Sequence, residues 1–218
     1  MLNTMLRGSW AVVVRPAVAN FEEHERNAFG WALLYVMFGA TITATLGWLA
    51  FLVQRPFLER QYATLFAELA KIEALTGQDL AFEQLFAPAD PGIPIVSNIL
   101  VTLIGFLTYL GIVFLLGRAL GGTGRLGELA YDLALFWVPV SVVSALINVF
   151  SIGFFSCLTA PVAVGVTYYG LYLTYLSVQA GMNLSARKAL TLVLIPALLW
   201  LVAFCSLALL ILAFAGQM

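Results

Sequence analysis

Residues 133–186 read LALFWVPVSVVSALINVFSIGFFSCLTAPVAVGVTYYGLYLTYLSVQAGMNLSA, 54 positions without an Asp, Glu, Lys, Arg or His. A transmembrane helix needs about 20 apolar residues, so this run is too long for one crossing and the right length for two. Gly153, Ser156, Thr159 and Pro161 cluster between 152 and 161 and place the break there. The run reads as a helical hairpin, 133–151 followed by 161–179.

Composition extends this reading to the whole chain. Of 218 residues, 62% are hydrophobic and 10% charged, and the mean hydropathy is +1.00. Soluble domains carry about 25% charged residues. The chain is therefore an integral membrane protein, and one bundle is expected rather than two domains. A net charge of −1 supplies no basic surface for nucleic acid. The two cysteines, Cys157 and Cys205, make neither a metal-ligand spacing nor a disulfide framework. No cleavable signal peptide is expected, because Arg15 and Pro16 cut short the apolar run that begins at Trp10.

Outward from the hairpin, three further spans are expected. The first covers 29–53, charge-free between Arg26 and Arg55, with Trp31 and Trp48 near its ends where aromatic belts lie. The second covers 94–116, and the fifth 190–214 with Pro196 near its start. Residues 1–26 read as a short mixed tail. Pro16 ends any helix before it, and Asn20 is placed to cap a helix that runs on into span one. Residues 55–92 form the long hydrophilic segment. Leu58, Tyr62, Leu65, Leu69 and Ile72 recur at spacings of four and three, which predicts an amphipathic helix closed near Gly77. Glu68, Lys71 and Glu73 would each cost roughly 3 kcal/mol at a bilayer centre, so this helix is expected on the membrane surface or capping the bundle. A short helix over 79–86 should follow. The fold class is thus all-α, a polytopic bundle of five transmembrane helices with an amphipathic helix in the first extracytoplasmic loop.

Basic residues set the orientation. Arg7, Arg15, Arg26, Arg118, Arg125, Arg187 and Lys188 fall on the side of the N-terminus. Arg55, Arg60 and Lys71 fall on the other, within a loop that holds six acidic residues. Seven against three places the N-terminus in the cytoplasm and the C-terminus outside or in a lumen.

Two polar faces lie within the hairpin. Ser141, Ser144, Asn148 and Ser151 share one helical face, and Tyr168, Tyr172, Tyr175 and Gln179 share another. The plain reading is interhelical packing and hydrogen bonding. The sharper one is a polar path for a small solute or lipid. Glu128 and Asp132 stand one turn apart at the cytoplasmic start of span three, near Arg125 and Arg118. They are interface charges or a partner-binding hinge. Gly121–Gly124 lacks the Lys-Ser/Thr of a phosphate-binding loop. His24 is the single histidine, beside Glu22, Glu23 and Glu25, so a metal centre or cofactor site is not expected. No catalytic constellation is visible, which speaks against an enzyme.

Three patches follow one another along nearly the whole chain: Arg15-Pro16 with Phe21; Leu120-Gly121-Gly122-Thr123-Gly124-Arg125-Leu126-Gly127-Glu128-Leu129 with Tyr131 and Pro139; and Leu184-Ser185-Ala186-Arg187-Lys188-Ala189 with Pro196. They resemble the lead-in to span one, the glycine-rich loop before span three, and the loop before span five of the Yip family, the Ypt-interacting five-span membrane proteins. Eukaryotic members are linked to Rab-type GTPases and vesicle traffic. Here the cytoplasmic tail is only about 27 residues and the long segment lies on the opposite side. The chain is more similar to compact prokaryotic-type members, and these departures speak against a Rab-type partner. What the resemblance implies is a non-enzymatic scaffold or adaptor that binds the bilayer and other membrane proteins or its own copies. Arg118, Arg125, Glu128 and Asp132 would be its cytoplasmic contact. The alternative is a transporter or channel lined by the two polar faces.

The orientation is testable. Cys157, at the hairpin tip, should react with a membrane-impermeant maleimide added from outside. Reaction only after permeabilisation would reverse the topology.

Overall fold

The computed structural model describes residues 1–76, 92–196, 198 and 206, with backbone alone for 58–76 and 92–94. The helices are α1 (Leu2–Val14), α2 (Val18–His24), α3 (Phe29–Thr76), α4 (Gly92–Ala119), α5 (Leu126–Val149), α6 (Phe155–Gly181) and α7 (186–196). No strand occurs among the described residues. Among the described residues four helices are long and apolar enough to cross a membrane: Phe29–Phe57, Ile95–Ala119, Leu126–Val149 and Phe155–Gly181. α7 covers the first residues of the fifth expected span, and most of 190–214 lies outside the described residues.

The hairpin forms with a tighter turn than the 152–161 break expected from sequence. α5 ends at Val149 and α6 starts at Phe155, with Gly153 at φ +50 in the connection. Pro161 lies inside α6 rather than at its start. It forfeits one N–H bond, to Cys157, which a membrane helix tolerates.

Two other expectations are corrected. The amphipathic segment is not a separate helix, because α3 runs unbroken through Pro56 to Thr76. The residues after Pro56 are mostly strong helix formers, and one missing hydrogen bond does not stop them. At 1.5 Å per residue α3 is about 72 Å long, more than twice the hydrocarbon thickness of about 30 Å. The expected short helix over 79–86 lies outside the described residues. The N-terminal tail is helical, but its second helix neither starts at Asn20 nor runs on into span one. Pro16 does separate α1 from α2, but Ala17 rather than Asn20 precedes α2, and α2 stops at His24. The Asn20 side chain turns back to donate to the Arg15 carbonyl.

The chain divides into two compact units built from segments of the same helices. One comprises Met1–Tyr35, Phe106–Trp137 and Tyr169–Met218. Its core is dense. Every residue of α5 from 129 to 136 is buried, Asp132 among them, as for a helix surrounded on all sides. Phe21 meets Phe136 edge-on at 6.5 Å, and Trp137 lies between Phe106 and Tyr109 at 5.7 and 5.5 Å.

The other unit comprises Val36–Gly105 and Val138–Tyr168. It packs through small residues, as helices in lipid do. A Cβ on Gly39 would lie 2.7 Å from Val138 Cγ1, so α3 and α5 approach more closely there than an alanine allows. Large apolar side chains such as Val101 and Phe154 point outward, 67% and 79% exposed. In water that surface would be unstable; in lipid it is solvated.

Candidate functional site

The glycine-rich loop is built by the ends of α4 and α6. At the end of α4 the Gly121 N–H donates to the Arg118 carbonyl at 3.0 Å and the Gly122 N–H to the Gly117 carbonyl at 2.8 Å. Gly121 stands at φ +88. This is a Schellman cap with glycine at the left-handed position. The end of α6 repeats the pattern with asparagine. The Asn183 N–H donates to the Ala180 carbonyl at 3.0 Å and the Leu184 N–H to the Gln179 carbonyl at 3.2 Å, with Asn183 at φ 52. Asparagine is among the few side chains that reach this conformation readily.

The two caps are tied together. The Thr123 N–H donates to the Met182 carbonyl at 3.1 Å, and Lys188 Nζ donates to the Leu120 carbonyl at 2.7 Å. Gly124 lies flat against the end of α6, where a Cβ would stand 1.7 Å from the Gly181 carbonyl oxygen. Arg118 spreads over the Phe114 ring at 5.3 Å and reaches towards the Gly122 carbonyl at 3.4 Å. From this loop α5 starts at once. The Glu128 carboxylate accepts the Arg125 N–H at 2.9 Å, the return half of a capping box.

The four residues expected as a cytoplasmic contact come together in one unit but in different states. Arg118 and Arg125 are exposed, and Glu128 is half-buried. Asp132 is 0% exposed, and both of its carboxylate oxygens lack a hydrogen-bond partner. Its neighbour is Gly181, whose added Cβ would lie 3.0 Å from Oδ2. Asp132 is therefore not on offer to a partner's surface. Glu25 joins this acidic group. Partial burial, then repulsion from Glu128 and Glu22, holds its carboxyl above the usual carboxylate range. A raised carboxyl favours the folded state fully below its ordinary value, and that contribution is lost as pH rises through the raised one. No group of three or more His, Cys, Asp or Glu side chains among the described residues is placed to hold a metal ion.

The hairpin faces behave differently from one another. Ser141 and Ser144 donate to carbonyls of their own helix, Val138 and Val140, both at 2.9 Å, so these bonds are intrahelical where interhelical ones were expected. Ser151 alone of the four bonds across the hairpin, to Thr159 at 2.6 Å. The Asn148 carbonyl accepts from Gln54. Ser144, Ala145, Ile147, Asn148, Ser151 and Ala163 line a cavity of ≈ 290 Å³. None of the four tyrosine-face residues lines it. Tyr168 is 69% exposed, Tyr172 and Tyr175 stack at 6.4 Å, and Gln179 is half-buried. Tyr169, which the periodicity passed over, makes the specific contact, donating its hydroxyl to the Val13 carbonyl of α1.

All these features lie on membrane-crossing or membrane-adjoining helices and describe a multi-pass membrane protein built around a glycine-capped helix junction. The Yip1 domain model matches residues 10–214, and the chain belongs to that family. No curated protein and no solved structure matches it.

The junction predicts an ordering of glycine substitutions. Gly124→Ala drives a methyl into the Gly181 backbone and should destabilise by about 3 kcal/mol. Gly127→Ala also meets an atom, Asn27 Oδ1 at 2.1 Å, but that side chain is exposed and can swing away. Thermal unfolding in mild detergent should therefore show a large loss for Gly124→Ala and a small one for Gly127→Ala. Equal losses would contradict the junction.

Proposed function

We propose that the protein is a non-enzymatic scaffold or adaptor of the Yip type, which holds membrane partners on the face carrying Arg118 and Arg125 and organises the bilayer around its bundle. The observation that carries this reading is the junction itself. Two helix ends closed on each other fix a rigid platform, and Arg118, Arg125, Arg187 and Lys188 stand exposed around it. Rigid presentation lowers the entropy lost when a partner binds. On the distribution of basic residues this platform is cytoplasmic and the C-terminus is outside or lumenal. Partners of this face would be acidic membrane proteins or further copies of the chain. The reading needs no cofactor, and the family is not known as an enzyme family.

A transport role is the second reading. In its favour is the ≈ 290 Å³ cavity lined by Ser144, Asn148 and Ser151. Against it, the tyrosine face takes no part in that cavity.

The test is capture from native membranes by cross-linking in mild detergent. The double variant Arg125→Glu, Arg187→Glu should keep its melting temperature and lose about tenfold in recovered partner, equivalent to about 1.4 kcal/mol. Undiminished recovery with a folded variant would remove this face from the adaptor reading. Recovery of the protein alone, with solute flux in liposomes that Asn148→Leu abolishes, would put transport in its place.

A further inference from the structure

Helix α1 presents two apolar faces. Met5, Gly8, Ser9 and Val12 form the first and are buried. α1 is pinned to three spanning helices. The Ser9 and Tyr35 hydroxyls hydrogen-bond at 2.8 Å, a Cβ on Gly8 would come within 3.3 Å of Leu135, and the Val13 carbonyl takes the Tyr169 hydroxyl. The second face is Leu2, Leu6, Trp10 and Val14, each four residues on, exposed by 41%, 47%, 73% and 51%. Arg7, also exposed, borders this stripe, and Arg15 follows the end of the helix.

The anchor points fix where this outward apolar stripe lies. Tyr35 is six residues from the start of α3, Leu135 nine from the start of α5, and Tyr169 twelve from the end of α6. At 1.5 Å per residue these are about 9, 14 and 18 Å inside the helix ends. The crossing segments Phe29–Phe57, Leu126–Val149 and Phe155–Gly181 have 29, 24 and 27 residues, or roughly 36–44 Å, against about 30 Å of hydrocarbon and 40–45 Å with headgroups. A helix held that far inside their ends cannot stand clear in water. Exposed Glu22 and Glu23 of α2 share its level, since Phe21 packs on Phe136. Exposed charges beside exposed Trp, Leu and Val mark the boundary between headgroups and acyl chains.

We propose that α1 is an interfacial lipid-binding helix, with Leu2, Leu6, Trp10 and Val14 in the acyl region and Arg7 and Arg15 on anionic headgroups. The occupant of the stripe is the bilayer already covering the outward apolar side chains of the spanning helices. The two arginines give it a preference for acidic lipid. The assignment goes beyond the adaptor reading and holds whether or not that reading does.

The test uses the full chain in nanodiscs of phosphatidylcholine and phosphatidylglycerol. Trp31, Trp48, Trp137 and Trp200 are replaced by Phe, so that Trp10 alone reports. Its emission should be blue-shifted from that of tryptophan in water and should lose most of its intensity when the acyl chains are brominated. Quenching should be stronger with brominated phosphatidylglycerol than with brominated phosphatidylcholine, and Arg7→Gln with Arg15→Gln should erase that difference. Water-like emission untouched by bromine would overturn the proposal. Equal quenching by the two lipids before any arginine change would overturn its anionic half. Because Trp137 is a core residue, a second measurement keeps all tryptophans. A nitroxide on Leu6→Cys, with Cys157 and Cys205 changed to Ser, should be relaxed more by oxygen than by a water-soluble nickel chelate. The opposite order, or broadening between labels on two copies, would place water or a second copy on this face instead.

Discussion

Helix ends leave backbone carbonyls without partners, and near a membrane the water that could satisfy them is scarce. The structure of this protein follows from how two such ends are closed. α4 and α6 each terminate in a Schellman cap, and the Thr123 N–H then binds the Met182 carbonyl, so that one cap completes the other. The requirement for glycine follows. Gly121 supplies the left-handed turn, and Gly124 allows one backbone to lie on the other. Because α5 begins directly from that loop, its first turns are carried into the middle of the unit, where residues 129–136 are all buried.

That placement explains the position of Asp132. On sequence it stood with Glu128 as a surface charge at a membrane boundary. In the fold α5 is covered on every side at this level, by Gly181 of α6 among others, and the carboxyl is enclosed without a donor. A buried ionised carboxylate without a partner is costly, and apolar residues of similar volume at such positions are often more stable. The exposed charges around the glycine junction are therefore cationic, from Arg118, Arg125, Arg187 and Lys188. The Glu128 carboxylate is taken by the Arg125 N–H, and the Asp132 carboxyl is enclosed.

Much of this was legible in the residues. The charge-free run announced the hairpin, charge-free stretches elsewhere announced two more spans, and the glycines before Leu126 marked the loop that opens span three, though not its tie to the end of α6. Three things were not legible, for physical reasons. α1 escaped because its apolar residues serve two directions: Met5 and Val12 face protein, while Leu6 and Trp10 face outward, which blurs the one-sided pattern of a surface helix. The continuity of α3 through Pro56 escaped because a proline predicts a break more often than it makes one in a helix with strong formers on both sides. The serine bonds went to carbonyls one turn back because those acceptors are always within reach, whereas a neighbouring helix is not.

Everything above depends on the ends of α4 and α6 being closed on each other. Hydrogen exchange of the loop amides in lipid nanodiscs tests it most directly. The Gly122 and Thr123 N–H groups, bound to the Gly117 and Met182 carbonyls, should exchange far more slowly than an open loop allows. They should slow and open together with the Asn183 and Leu184 amides of the other cap. Exchange of Thr123 at the rate of a free peptide amide, while the α6 cap stays protected, would show that the two ends are independent.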